Sequence, residues 1–127
     1  MENLNEMSYK IIGAAYKVHH HLGPGLLEST YQVCLVHELC KCHFDLDIQL
    51  GLPVVYDGIR LDAGYRIDIL VNKTIILELK SVEVLLPVYQ AQLLTYLRLS
   101  GKKLGLLINF NVPDLKEGIK RIINNPI

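Results

Sequence analysis

Several features that mark other classes of protein are scarce or missing in this chain of 127 residues. It has no tryptophan and only three cysteines, and its 13 acidic residues equal its 13 basic residues. No apolar run approaches the ~20 residues that span a bilayer, and the polar, acidic first residues do not resemble a signal peptide. The 50% hydrophobic content excludes a disordered tail. We therefore expect a single cytoplasmic domain over residues 1–127 that contacts no membrane.

The charge balance limits the kind of partner. Proteins that bind duplex DNA usually carry a basic excess because they neutralise phosphates, and this chain has a formal net charge of zero. Basic residues outnumber acidic ones only locally, in residues 101–127. Residues 1–100 are therefore net acidic and residues 101–127 net basic. This distribution is compatible with a metal site beside a modest anion-binding surface.

The cysteines do not indicate a metal centre. Cys34, Cys40 and Cys42 form no C-x-x-C pair, and an odd number of cysteines in a chain with no recognisable export signal favours reduced thiols. His37 and His43 lie among them, but the spacing is not that of a zinc site. We interpret the three cysteines as thiols that bind no metal.

Hydrophobic spacing predicts an α/β fold. Apolar residues three to four positions apart predict two N-terminal helices, the first ended by the Gly-Pro-Gly of residues 23–25. Strands are predicted within residues 47–56, 65–71, 74–81 and 104–110. A helix over Pro87–Ser100, apolar nearly all round, is expected to be buried against the sheet, and residues 115–124 to form a short basic helix. The order α-α-β-β-β-α-β-α predicts a mixed central β-sheet flanked by helices.

Charged residues lie in what should be the most buried hairpin. Asp68 is on its first strand, and Glu78 and Lys80 are two residues apart on its second strand, so they share a face. Buried charges are costly unless they are paired or bind an ion, and carboxylates suit Mg²⁺. A three-residue loop, residues 72–74, would place Asp68 opposite Glu78 with Cβ atoms ~4.5–5.5 Å apart, and we predict that loop. A salt bridge from Lys80 to the two acids is the alternative that spacing leaves open.

Further polar residues lie on the predicted helices. Glu28 is expected on the inner stripe of the second helix, although a glutamate in the first turn also commonly stabilises a helix N-terminus. Gln92 and Tyr96 are one turn apart on the apolar helix, with Tyr89 on the same face. Polar groups on a buried helix need hydrogen-bond partners. A polar site beneath the helix would supply them, and so would ordinary tyrosine hydrogen bonding in the core.

Gly25, Glu28 and Tyr31 have the spacing G-x-x-E-x-x-Y. This motif resembles that of the bacterial GxxExxY proteins, a group within the PD-(D/E)XK nuclease superfamily. The resemblance covers nearly the whole chain, in blocks at residues 18–25, 64–68, 78–81, 92–97, 105–111 and 118–121. It implies a restriction-endonuclease-like core.

The resemblance also implies roles for the acids and the lysine. Asp68 and Glu78 would be the metal-binding acids, and Lys80 would orient or activate the attacking water and steady the phosphate. Glu28 would be an additional acid that contacts the metal directly or through water. The implied cofactor is Mg²⁺ or Mn²⁺.

Gln92 and Tyr96 resemble the helical Q-x-x-x-Y element that borders the site in RecB-like members, where it can touch nucleic acid. Tyr89 stands where the resemblance would place a histidine. The function implied is metal-dependent hydrolysis of phosphodiester bonds in nucleic acid, more often DNA than RNA. We expect a partner protein to supply affinity; a homodimer whose symmetric faces form a substrate channel is a further alternative. The alternative is a non-catalytic module that binds nucleic acid or protein and retains the nuclease fold.

Overall fold

The computed structural model describes residues 3–125 and has the predicted α/β architecture. In chain order its elements are α1 (Leu4–Leu22), α2 (Glu28–Lys41), β1 (Leu46–Gly51), β2 (Val54–Tyr56), β3 (Ile59–Leu61), β4 (Arg66–Val71), β5 (Ile75–Lys80), α3 (Pro87–Ser100), β6 (Leu104–Asn109), a 3₁₀ turn (Leu115–Gly118) and β7 (Ile119–Ile123). Five strands form one mixed sheet in the order β1-β4-β5-β6-β7. Strands β2 and β3 form a separate hairpin. The prediction of a mixed sheet flanked by helices is confirmed.

Helices cover both faces of the sheet, and each face has its own apolar cluster. Helices α1 and α2 bury residues such as Ile11 and Leu35 against one face. Helix α3 buries Leu93 and Leu97 against the other. Strand β6 is buried along its whole length because it has a layer on each side, as its apolar sequence predicts.

Helix α3 has the predicted bounds, but it is not buried all round. Leu93, Tyr96 and Leu97 are buried, whereas Val88 is 61% exposed and Leu99 is 38% exposed. The helix packs against the sheet as expected, and it buries a single stripe because its other face is left to solvent. Among residues 3–125, no helix combines the length and the apolar character needed to cross a membrane.

The last element of the described chain is a strand, so the predicted basic helix at residues 115–124 was wrong. Leu115–Gly118 forms one 3₁₀ turn, and β7 then pairs antiparallel with β6. The cause is the open edge of β6, whose backbone N–H and C=O groups would otherwise lack partners. Pairing of the sheet therefore overrides the weak helical spacing of this segment.

Candidate active site

The register of the β4–β5 hairpin brings Asp68 and Glu78 to opposite positions. Val71 pairs with Ile75, so the loop is residues 72–74, and the three-residue loop is confirmed. Its first two residues have left-handed backbones with φ of 51° and 54°, which allows the chain to reverse within so short a loop. Continuing the same register along the strands places Asp68 opposite Glu78.

Strands β4 and β5 separate at these two acids. The last pair in register is Ile69 with Leu77. Beyond it, the Asp68 N–H donates to Glu78 Oε2 at 2.8 Å, and the Leu79 N–H donates to Asp68 Oδ2 at 2.8 Å. Each carboxylate thus accepts a backbone hydrogen bond from the opposite strand. We call this divergence of β4 and β5, with Asp68 and Glu78 between them, the fork.

The electrostatics of the fork favour an added positive charge. Glu78 is only 7% exposed. Burial, together with the neighbouring Asp68 carboxylate, raises the pKa of Glu78 to about 8, and the Asp68 N–H and the Lys80 ammonium offset only part of that rise. The Glu78 carboxyl is therefore mostly protonated at neutral pH. Two adjacent carboxylates can both ionise at that pH when a cation lies between them.

Lys80 follows Glu78 by two residues, at the half-buried end of β5. Its Nζ lies 4.7 Å from the ring centre of Tyr89 on α3, within the range of a cation–π interaction. Among the described residues, no ion pair joins Lys80 to Asp68 or Glu78, so the salt-bridge alternative is not supported. Tyr89, the residue that departs from the resemblance, supports the lysine.

The two residues of the Q-x-x-x-Y element face different surroundings. Tyr96 is buried, and its pKa is raised by burial and by the charge of Glu78, with smaller contributions from Tyr65 and Asp68. Its ring packs edge-on against Tyr65 with 6.3 Å between centroids. Gln92 is exposed and lines a groove of about 470 Å³ between α3 and the β2–β3 hairpin, with Tyr65 and Tyr96. The tyrosine therefore lies close to the fork, and the glutamine lies along the groove beside it.

Glu28 is the first residue of α2, and two hydroxyls hold the loop that precedes it. The Tyr31 hydroxyl donates to the Gly23 carbonyl at 2.6 Å and accepts from the Leu26 N–H at 3.1 Å. The Ser81 hydroxyl, just after β5, donates to the Leu26 carbonyl at 2.6 Å. The tyrosine of the G-x-x-E-x-x-Y motif thus fixes the start of α2, and the serine ties it to the end of β5.

The structure places the Glu28 side chain on the exposed end of α2. Glu28 is three and seven residues before the buried Tyr31 and Leu35, so it continues their stripe as expected, but its own side chain is exposed because the buried positions of this helix begin at Tyr31. Within residues 3–125, no three His, Cys, Asp or Glu side chains gather as a metal-ligand cluster. Asp68 and Glu78 come together, and the metal-binding role of Glu28 stays a prediction.

Sequence reasoning missed three amides beside the fork. The Gln49 Nε2 on β1 donates to Asp68 Oδ1 at 3.2 Å and to Gln32 Oε1 on α2 at 2.7 Å. Asn109, at the end of β6, accepts from the Val82 N–H at 3.1 Å and donates to the Val82 carbonyl at 3.0 Å, which fixes the chain after β5. A polar residue that ends an apolar strand was a usable signal for Asn109. Gln49 gave none, because a glutamine in a partly exposed strand is unremarkable.

Comparison with known proteins agrees with this arrangement. The family model of the PD-(D/E)XK nuclease superfamily matches residues 5–122. A search of curated proteins and a search of solved structures found no match. Asp68, followed by Glu78 and Lys80 with one residue between them, has the order of acids and lysine in the superfamily's name. The chain belongs to the PD-(D/E)XK nuclease superfamily.

Proposed function

We propose that this protein is a nuclease that needs a divalent metal ion and hydrolyses phosphodiester bonds in DNA. Superfamily membership supports a nuclease-like function acting on nucleic acid. The metal dependence, the preference for DNA, the catalytic activity and a place in the GxxExxY group are the proposed parts. The observation that carries the proposal is the fork, where a buried glutamate lies beside an aspartate.

The residues of the fork fit Mg²⁺ or Mn²⁺. Asp68 and Glu78 offer carboxylate oxygens, which these hard ions prefer. Mg²⁺ commonly binds through one or two carboxylates and keeps several waters, so the pair is sufficient without a third protein ligand. Glu28, on the helix that Ser81 ties to the end of β5, is the candidate additional ligand.

The chain's own residues would then divide the work of hydrolysis. When bound, the ion supplies Lewis-acid stabilisation of the phosphoryl oxygen and a more acidic water. Asp68 and Glu78 hold it, and the backbone hydrogen bonds that they accept fix their orientation. Lys80, about 6.6–6.8 Å along the strand from Glu78, offsets negative charge that develops on the phosphate. Tyr89 limits where its ammonium group can move.

The groove between α3 and the β2–β3 hairpin supports nucleic acid as the substrate. Tyr96, whose pKa is raised in part by the nearby charge of Glu78, lines it together with Gln92 and Tyr65. Tyrosine rings beside a groove can stack on bases. The zero net charge of the chain indicates that part of the affinity comes from a second copy or a partner protein.

Cleavage assays on labelled single-stranded, duplex and branched DNA, and on RNA of the same sequence, test this proposal in Mg²⁺ or Mn²⁺. Asp68→Asn keeps an acceptor for the Leu79 N–H, and Lys80→Met keeps an unbranched side chain against Tyr89. Each substitution is expected to lower the cleavage rate by about 10²–10³-fold, and chelation should stop the wild type. Lys103→Met, an exposed lysine elsewhere, is the matched control. Cleavage that survives both site substitutions would refute the mechanism.

The second candidate is a non-catalytic module that binds nucleic acid or protein on the same fold. It is favoured by one observation, namely that within residues 3–125 only two acids meet at the fork and Glu28 lies apart. Calorimetric titration with Mg²⁺ separates the two candidates. Binding that is lost in Glu78→Gln supports the nuclease, and no binding that depends on Glu78 supports the module.

A further inference from the structure

Gln49 is held in a backbone conformation that is unfavourable for its residue type. It lies inside β1 between Ile48 and Leu50, which pair with Ile69 and Ile67 of β4. Gln49 is therefore opposite Asp68, and its φ is 52°. Residues with a Cβ rarely adopt this left-handed conformation, and strain of this kind is concentrated at functional sites. Gln49 is also exposed, so packing in the core does not explain it.

Three hydrogen bonds compensate the strain. The Gln49 carbonyl accepts from Arg66 Nη1 at 3.1 Å. Its side-chain nitrogen donates to Gln32 Oε1 at 2.7 Å and to Asp68 Oδ1 at 3.2 Å. The nitrogen of the amide therefore faces Asp68. Both amide hydrogens are then engaged, one on α2 and one at the fork.

These contacts fix the orientation of the Asp68 carboxylate. Its Oδ2 accepts from the Leu79 N–H, and its Oδ1 accepts from Gln49. With one donor on each oxygen, the carboxylate plane cannot turn freely, and each oxygen keeps acceptor capacity for a further partner. The same amide reaches Gln32, which is one helical turn after Glu28 and so lies on the same face of α2.

We propose that Gln49 is a positioning residue that orients the Asp68 carboxylate, and the Glu28 face of α2, for a divalent cation. This inference rests on the proposed function, since it assumes that the fork binds the ion. The proposed role explains why β1 keeps a strained backbone at Gln49. A strand with ordinary φ angles would point the Gln49 side chain in another direction. Groups that orient metal ligands typically change metal affinity 10–100-fold when they are removed.

The test compares thermal stability with metal affinity in the whole protein. Gln49→Gly removes the amide and relieves the strain, because glycine adopts positive φ without steric conflict. Its unfolding midpoint is expected to be unchanged or higher, while its affinity for Mn²⁺, measured by electron paramagnetic resonance, falls about 10–100-fold. A residue that only stabilised the fold would lower the midpoint. Asp57→Gly, at a φ of 49° in the β2–β3 turn, is the matched control and should leave affinity unchanged.

The outcomes separate this inference from the proposed function. Absence of Mn²⁺ binding in the wild type overturns both, because no ion then occupies the fork. Wild-type binding together with equal binding by Gln49→Gly overturns the positioning role alone. If Gln49→Gly does not fold, Gln49→Asn provides the same comparison, since asparagine tolerates the left-handed backbone but its shorter amide cannot span Gln32 and Asp68. Equal affinity in that variant also overturns the role.

Discussion

The two ends of the β4–β5 hairpin are built in opposite ways. At the loop end, the buried pairs Val71–Ile75, Leu70–Ile76 and Ile69–Leu77 follow one another in register. At the fork, the strands separate, and carboxylates accept the hydrogen bonds of the Asp68 and Leu79 N–H groups. The difference shows how one hairpin combines stability with chemistry. Apolar pairing at one end stabilises the sheet, so the other end can hold two acids that repel each other.

A group of lysines lies at the loop end of the hairpin. Lys73, Lys102 and Lys103 line the same pocket, with Thr74 of the loop. Thr74 is four residues from Glu78, which corresponds to about 13 Å along a strand. The expected anion-binding surface beside the metal site is therefore not formed by these lysines. The basic residues nearer the fork are Lys80, two residues after Glu78, and Arg66, which donates to the Gln49 carbonyl.

The largest effect on stability is expected at the loop end. Leu77 is fully buried, so Leu77→Ala should lower the free energy of unfolding by about 2–5 kcal/mol through lost apolar burial and the cavity left behind. Chemical denaturation measures this change. Below the unfolding transition, metal affinity should stay within twofold of the wild type, because Leu77 packs in the cluster under α1 and α2, whereas the Glu78 side chain lies on the opposite face of the sheet, towards Tyr96 of α3.

Val33→Ala is the control for that experiment. Val33 is 69% exposed on α2, and its truncation should change stability by less than about 0.5 kcal/mol. A large loss of metal affinity in Leu77→Ala at temperatures where it is folded would contradict the division of the hairpin into a stabilising end and a chemical end.

A smaller effect, opposite in sign, is expected at the fork. Glu78 has a pKa of about 8 in the folded protein, against an ordinary value of 4.5 for a glutamate. Its protonated form therefore favours folding, and this contribution is lost as the pH rises through about 8. Glu78→Gln keeps an acceptor for the Asp68 N–H and cannot ionise. Without metal, the variant should be more stable than the wild type at pH about 9, by on the order of 1–3 kcal/mol. At pH about 5, where the wild-type glutamate is protonated in the folded protein, the two stabilities should be equal.

Denaturation with a chelator at several pH values measures the difference, with the exposed Glu117→Gln as control. Addition of Mg²⁺ at alkaline pH sharpens the test, because the ion should stabilise the wild type and leave Glu78→Gln unchanged. A wild-type stability that does not fall between pH 5 and 9 relative to Glu78→Gln would show that Glu78 ionises there without difficulty.

The smallest effect concerns the support of Lys80. Tyr89→Leu removes the aromatic face 4.7 Å from the Lys80 ammonium, an interaction of about 0.5–1 kcal/mol. The cleavage rate at saturating DNA should fall about two- to fivefold, since 1.36 kcal/mol corresponds to a factor of ten. Tyr89→Phe keeps the ring and should cleave at the wild-type rate. Equal losses in both variants would assign the effect to the hydroxyl instead of the ring.

Much of the fold could be predicted because the apolar residues recur at clear helical and strand spacings. Alternation along residues 65–71 and 74–81 was enough to predict the two strands, and the three-residue loop that sets Asp68 opposite Glu78 was chosen because it brings the two acids together. The strand at Ile119–Ile123 was not readable, because its pairing depends on the open edge of β6, which lies far away in sequence. Local spacing cannot report a partner that only the folded sheet supplies.

The same limit applies to the site. Glu78 and Lys80 stand out as charges in an apolar run, so their chemistry was visible in the sequence. Gln49 was not visible, because its contribution depends on one backbone torsion and on the approach of Gln32 from another element. The exposure of Glu28 was not predicted either: it continues the stripe of Tyr31 and Leu35, but it lies in the first turn of the helix, where solvent competes with burial.

The double use of the fork's acids also restricts how this chain can change in evolution. Asp68 and Glu78 each accept a peptide hydrogen bond from the opposite strand, so a descendant that lost its chemistry through alanine at either position would leave a backbone donor unsatisfied. Asparagine and glutamine preserve the acceptor and discard the charge. Inactive descendants of this protein should therefore carry amides at these two positions, and a homologue with a small apolar residue there should show compensating changes in the strand that faces it.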